Sequence, residues 1–256
     1  MKCALRVKAT TCNTIVYGEC GQFPPSVYCN VNVLCFMHRL RYLTEGSLVK
    51  SVYNELESLH RQGFTTWVTK VTEMMTSYGI DFLENTTSFK SICKSKITAH
   101  FINKWYDDLN SAAKPILRTY RMFKYNFGSE AYLSNVIDSR YRIAITKIRT
   151  SSHKLEIERG RYAKPKIAAH LRNCNACYGL VEDEEHFVTS CKINEAERQY
   201  LFTKIEKYYP SFSDMDNRQM FIYLMSNSDR RIQKWFGKFV YSSFIIRNQL
   251  TRLSMI

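Results

Sequence analysis

With 256 residues the chain is long enough to bury a sizeable core, and 45% hydrophobic residues with only nine Gly and five Pro exclude collagen-like and low-complexity classes. Thirty-seven Lys and Arg against 23 Asp and Glu give a formal charge of +14, which favours polyanionic partners, nucleic acid first among them. The opening Met-Lys-Cys-Ala-Leu-Arg-Val-Lys is broken by cations and forms neither a signal core nor a membrane span, so the reading is an intracellular protein, nuclear or cytoplasmic and not secreted. In such a reducing compartment, the nine cysteines are free thiols or metal ligands rather than disulfides.

Apolar residues at helical spacing predict helices over 30–43, 48–62, 65–78, 88–113 and 114–125, making 1–128 a helical region. Ser47 and Thr65 stand at N-cap positions, Gly63 and Gly79 follow the expected helix ends, and Gly128 closes the block. From Asp138 to Arg172 the chain holds ten Lys and Arg against three acids, a basic arm. Its first part, Arg140 to Arg149, is predicted to be a helix with one cationic face; the remainder, through Pro165, is predicted to be extended. Helical pattern returns over 193–208 and stops at Pro210, then recurs over 217–226 and 229–254, with Phe221, Leu224, Trp235, Phe239, Val240, Phe244 and Ile245 as its apolar positions. The fold class read from this is mainly α. A helical region (1–128) precedes a basic arm with a small zinc-binding segment (129–192), and C-terminal helices (193–256) follow.

The chemistry lies in Cys174-x2-Cys177-x8-His186-x4-Cys191. The two-residue spacing lets one tight turn aim two sulfurs at one point, and a His and a third Cys complete a tetrahedral shell suited to structural Zn²⁺, with no position left for substrate. Glu182-Asp-Glu-Glu185, inside this segment, reads as a solvated acidic loop rather than a catalytic or hard-metal site, because four adjacent carboxylates cannot face one point. Cys12, Cys20, Cys29, Cys35 and His38 lack a paired-ligand turn and read as ordinary thiols and an ordinary imidazole. Trp105-Tyr-Asp-Asp-Leu109 has the paired carboxylates of a polymerase turn but sits in helical periodicity, with no strand upstream to bring a third carboxylate. No Walker-type phosphate loop and no paired nucleophile and base occur, so the chain is expected not to be an enzyme.

Arg149-Thr-Ser-Ser-His-Lys-Leu-Glu-Ile-Glu-Arg-Gly-Arg-Tyr162, Pro165-Lys-Ile167, the Cys-x2-Cys pair and Glu182-Asp-Glu-Glu-His-Phe187 ending at Cys191 resemble the end of animal non-LTR retrotransposon second open reading frames. Val16-Tyr-Gly-Glu-Cys-Gly-Gln-Phe-Pro24 resembles the segment these polyproteins carry after the polymerase, so the likeness spans nearly the whole chain. The resemblance implies a post-polymerase tail, separated from reverse transcriptase and endonuclease, whose Cys-Cys-His-Cys cluster helps engage RNA or target DNA. The eight-residue gap departs from the four-residue gap of retroviral nucleocapsid knuckles, so their recognition details do not carry over.

The leading expectation is a zinc-dependent module that binds RNA or DNA, with Arg140, Arg142, Lys147, Arg149, Lys154, Arg159, Arg161, Lys164 and Lys166 on phosphates. Tyr141 and Tyr162 are candidates for base stacking, packing against neighbours being the commoner role. The alternative is a non-enzymatic helical scaffold or protein-interaction domain stapled by zinc, a domesticated or decaying remnant whose charge serves solubility.

Overall fold

The computed structural model describes residues 1–81 and 88–253, the side chains of 251–253 excepted. Among them the fold is mainly α, with no strand beyond the isolated bridges Cys20 to Ser129 and Asn173 to Val181. No described helix is long and apolar enough to cross a membrane. The contacts divide the chain differently from its composition. One compact unit is Gln22–Asp108, and the other joins Met1–Gly21 to Leu109–Ile256, because composition tracks charge whereas units are set by which apolar faces meet.

In the Gln22–Asp108 unit, helices Pro25–Arg41, Leu48–Arg61, Trp67–Ser77 and the greater part of Phe89–Asn110 match the predicted periodicities. Their inward residues, among them Val31, Leu34, Met37, Val71, Met75, Cys93 and Ile97, form one core. Ser47 caps its helix, its Oγ accepting from the Lys50 N–H at 3.2 Å. The cap expected at Thr65 is made one residue later, by Thr66, in a reciprocal box with Thr69. Trp105-Tyr-Asp-Asp lies inside the Phe89–Asn110 helix with Trp105 buried, as its periodicity indicates.

The helix predicted over 114–125 does not form. Two single 3₁₀ turns, Pro115–Leu117 and Tyr120–Met122, take its place. Pro115 opens the first of these turns, and the Arg121 guanidinium donates to the carbonyl oxygens of Ser111 (2.9 Å) and Lys114 (3.3 Å).

In the larger unit the Ser139–Arg149 helix, predicted from its pattern, packs along Arg230–Leu253. The crossing is close at Gly237, where an added Cβ would stand 2.9 Å from the Tyr141 Cβ, so any side chain there would push the helices apart. Glu195–Glu206 and Asn217–Ser226 also form where expected, and the last predicted helix position, 254, lies outside the described residues. Phe221, Leu224, Phe239 and Val240 are buried, whereas Ile245 is 41% exposed.

The arm predicted to be extended after Arg149 is instead half interior. Ser151, Ser152, His153, Leu155, Ile157 and Glu158 are buried, and only 162–171 runs mostly along the surface. Arg172 closes this surface stretch by donating from its guanidinium to the Ile157 (2.6 Å) and Ile167 (2.8 Å) carbonyl oxygens.

The end of the Ser139–Arg149 helix carries a buried ionic cluster. The Arg149 guanidinium donates to Glu19 at 2.8 and 3.0 Å and meets Glu130 at 2.7 Å. The ring of Phe123 lies 4.7 Å from the guanidinium, and the Tyr132 hydroxyl donates to Glu19 at 2.7 Å. Burial alone would raise the Glu19 carboxyl, but the Arg149 charge and the hydrogen bonds to it prevail and hold it below its ordinary 4.5. A carboxyl held lower in the folded than in the unfolded chain stabilises in full above the unfolded value. That contribution is lost as pH falls through the folded one. Denaturant midpoints should therefore decline below about pH 4.5, and decline less steeply in Glu19→Gln. Parallel acid limbs in the two proteins would contradict the assignment.

Candidate metal centre

Asn173 and Val181 pair across a tight loop, the Cys174 N–H donating to the Leu180 carbonyl oxygen at 2.7 Å and the Leu180 N–H to Cys177 at 3.1 Å. Gly179 turns this loop at φ +82°, a conformation that side chains resist. The loop aims Cys174 and Cys177 at a short helix, Glu184–Thr189, whose N-cap Asp183 accepts from the His186 N–H at 2.9 Å. Cys191 follows that helix, its N–H donating to the His186 carbonyl oxygen at 2.9 Å, and Arg198 holds the Cys191 carbonyl oxygen at 2.8 Å.

All four side chains predicted as ligands are buried, and their ligand atoms lie within 4.8 Å of one another. The Cys191 sulfur is 3.7 Å from that of Cys174 and 4.0 Å from that of Cys177. Two sulfurs bound to one tetrahedral ion at ~2.3 Å would be about 3.8 Å apart, so the spacing suits a shared metal. His186 agrees: its Nδ1 lies 3.1 Å from the Ser190 hydroxyl, and its buried Nε2 has no hydrogen-bond partner. A buried ring nitrogen aimed at three thiols and bonded to nothing is the donor a metal requires, with Ser190 fixing the tautomer from the other side.

Backbone N–H groups complete the set. Lys192 donates to the Cys177 sulfur at 3.3 Å, as those of Ala176 and Cys177 do to Cys174. The hydrogen bond from Cys191 prevails over burial and, with those of these amides, holds the Cys174 thiol far below its ordinary 9.0; Cys191, sharing its proton with Cys174 and buried, is pushed up. These residues could hold one metal ion, and no other such group of His, Cys, Asp and Glu occurs among the described residues.

No family model, curated protein or solved structure matches the chain.

The acidic stretch is not the solvated loop its composition suggests. Glu182 and Glu184 are buried, the first held by Arg247 at 2.6 Å. Glu184 accepts from Arg118 (2.9 Å), Thr119 (3.0 Å) and Ser151 (2.8 Å), with the His153 ring 3.1 Å away. Burial would raise the Glu184 carboxyl, yet His153 and then Arg118 bring it down to about 2. Neighbours along the chain do not show these partners, since Arg118 and Arg247 are both more than 60 residues away.

The cations expected on phosphates divide into distinct environments. Arg149 is removed from that set, because it is 2% exposed and locked between Glu19 and Glu130. Arg140 is exposed but bonded to Asp138 at 2.8 Å, Arg159 to Glu156 at 2.7 Å, and Arg161 to the buried Glu158 at 2.8 Å. Arg142 donates to the Val136 carbonyl oxygen at 2.8 Å. Lys154, Lys164 and Lys166 are exposed and Lys147 half-buried, all four without an ion pair among the described residues. Tyr141 packs against Tyr241 (centroids 5.7 Å apart), the commoner of the two expected roles, whereas Tyr162 is exposed.

Proposed function

We propose that this chain is a zinc-stapled module, without catalytic activity of its own, that binds RNA or DNA, and that it descends from the post-polymerase tail of a non-LTR retrotransposon polyprotein. The observation that carries the reading is the buried four-ligand cluster set just after a surface stretch, 162–171, that holds Lys164, Lys166 and Tyr162 and no acid. A Cys3His donor set with no open position favours structural Zn²⁺ over hard cations, which prefer oxygen ligands. Cys174, Cys177, His186 and Cys191 would hold that ion, and the amides on the sulfurs would temper its surplus thiolate charge.

The scaffold reading has one observation in its favour. Arg140, Arg149, Arg159 and Arg161 already have carboxylate partners. Phosphate contact then falls to Lys147, Lys154, Lys164, Lys166 and Arg142, a smaller set.

Binding of the full chain to single-stranded RNA and to duplex DNA across a salt series separates the two. If about five phosphates are neutralised, the log–log slope should be about −3.5 on single strands and about −4.5 on duplex. Removing two contacts with Lys164→Ala and Lys166→Ala should flatten these slopes by about 1.4 and 1.8. Unchanged affinity and slope in that variant would return the surface stretch to solvent and favour the scaffold.

A further inference from the structure

The N-terminal segment adds cations that the basic stretch lacks. Lys8 is tied to the segment that follows the Ser139–Arg149 helix, its N–H donating to the Ser152 hydroxyl and its ammonium to the His153 carbonyl oxygen, each at 2.9 Å. Between this segment and the Arg230–Leu253 helix opens a cleft of about 940 Å³, in the range of small-molecule sites. Six of its lining residues are cations and none is an acid.

Two of the six are spent on carboxylates: Arg159 on Glu156 at 2.7 Å, Arg247 on Glu182 at 2.6 Å. Arg6, Lys147 and Lys154 have no side-chain partner among the described residues, and Lys8 has only the carbonyl. Partial burial pulls the Lys8 ammonium below its ordinary 10.5, Glu158 opposing this and Lys154 and Lys147 adding to it. Cations gathered in a concavity whose lining holds no acid attract an anion. The same cleft carries apolar surface from Val7, Leu155 and Phe244, with Asn248 and Ser152 as hydrogen-bonding groups.

We propose that this cleft takes one nucleotide unit of a single nucleic-acid strand, its phosphates on Arg6, Lys8, Lys147 and Lys154 and its base against Phe244 and Leu155. The proposal rests on the nucleic-acid reading above and narrows it. A concave site with an apolar wall accepts a splayed base, whereas a duplex keeps its bases paired and stacked. The cleft lining does not include Lys164 or Lys166, so the two surfaces can be tested apart.

The test uses the full chain with oligothymidylate, thymidine monophosphate and inorganic phosphate as probes. The cleft variant is Lys147→Gln with Lys154→Gln, which removes no side-chain bond; the control is Lys164→Ala with Lys166→Ala, and circular dichroism checks folding. The cleft variant should bind oligothymidylate about tenfold more weakly, with a salt slope flatter by about 1.4. Thymidine monophosphate should bind the parent more tightly than phosphate does, and should weaken in the cleft variant but not in the control. If the control loses oligothymidylate affinity while the folded cleft variant keeps it, the cleft proposal fails and the nucleic-acid reading stands. Equal affinity for thymidine monophosphate and phosphate would remove the base contact and overturn the proposal as stated. A parent that binds none of oligothymidylate, single-stranded RNA and duplex DNA overturns the nucleic-acid reading and the cleft proposal together.

Discussion

If the Cys174, Cys177, His186 and Cys191 centre holds zinc as proposed, a chelator is expected to convert its three cysteines from unreactive to reactive thiols and to open residues 172–192 to protease. Structural zinc contributes on the order of 10–16 kcal/mol in isolated fingers, and without it three buried sulfurs and an imidazole face one another with no ion to hold them together. The opening should stay local. Phe187 and Val188 are fully buried and Phe187 stacks on Phe244 at 5.1 Å, so the remaining unit keeps apolar contacts that do not depend on metal. Cys93, the other buried thiol, is pushed up to about 12 by burial and should remain silent in both forms. Metal analysis should find one zinc per chain, and Cys177→Ser should lose it. A folded, metal-free protein as purified, or a Cys177→Ser variant with full zinc content, would falsify the centre.

Replacing Arg149 by Ala is expected to cost about 3–5 kcal/mol, because it leaves Glu19 charged, wholly buried and short of its main partner. Glu130 and Lys124 remain paired with each other, but Tyr132 alone cannot compensate Glu19. The double variant Glu19→Leu with Arg149→Met should recover much of the loss, since exchanging a whole buried pair for apolar groups of similar volume removes the desolvation cost along with the attraction. Urea midpoints of the two variants decide the matter. A single variant within about 1 kcal/mol of the parent would mean that water reaches the site and screens it.

Arg149 also shows where reading by pattern stops. In the sequence it is one of ten cations between positions 138 and 172, with nothing to set it apart from Arg159 or Lys166. Its partners are Glu19, 130 residues earlier in the chain, and Glu130. Glu182 and Glu184 illustrate the same limit with the opposite sign. Adjacent acids read as solvated, yet the first turn of the Glu184–Thr189 helix carries Glu184 inward to Arg118 and His153.

What the sequence determined by itself was local. Helical periodicity, the Ser47 cap, the glycines after helix ends and the grouping of Cys174, Cys177, His186 and Cys191 all depend on residues a few places apart, and turn and helix geometry convert those spacings directly into shape. The Cys-x2-Cys turn and the single helical turn bearing His186 bring the ligands together with little help from elsewhere. The tertiary structure alone decided which charges are free. Burial and pairing depend on groups distant in the chain, and moving a charge from water to the interior reverses its role from a contact for partners to an internal brace. The cleft is of the same kind: Arg6 and Lys8 join Lys147 and Lys154 across some 140 residues, a distance that no periodicity spans.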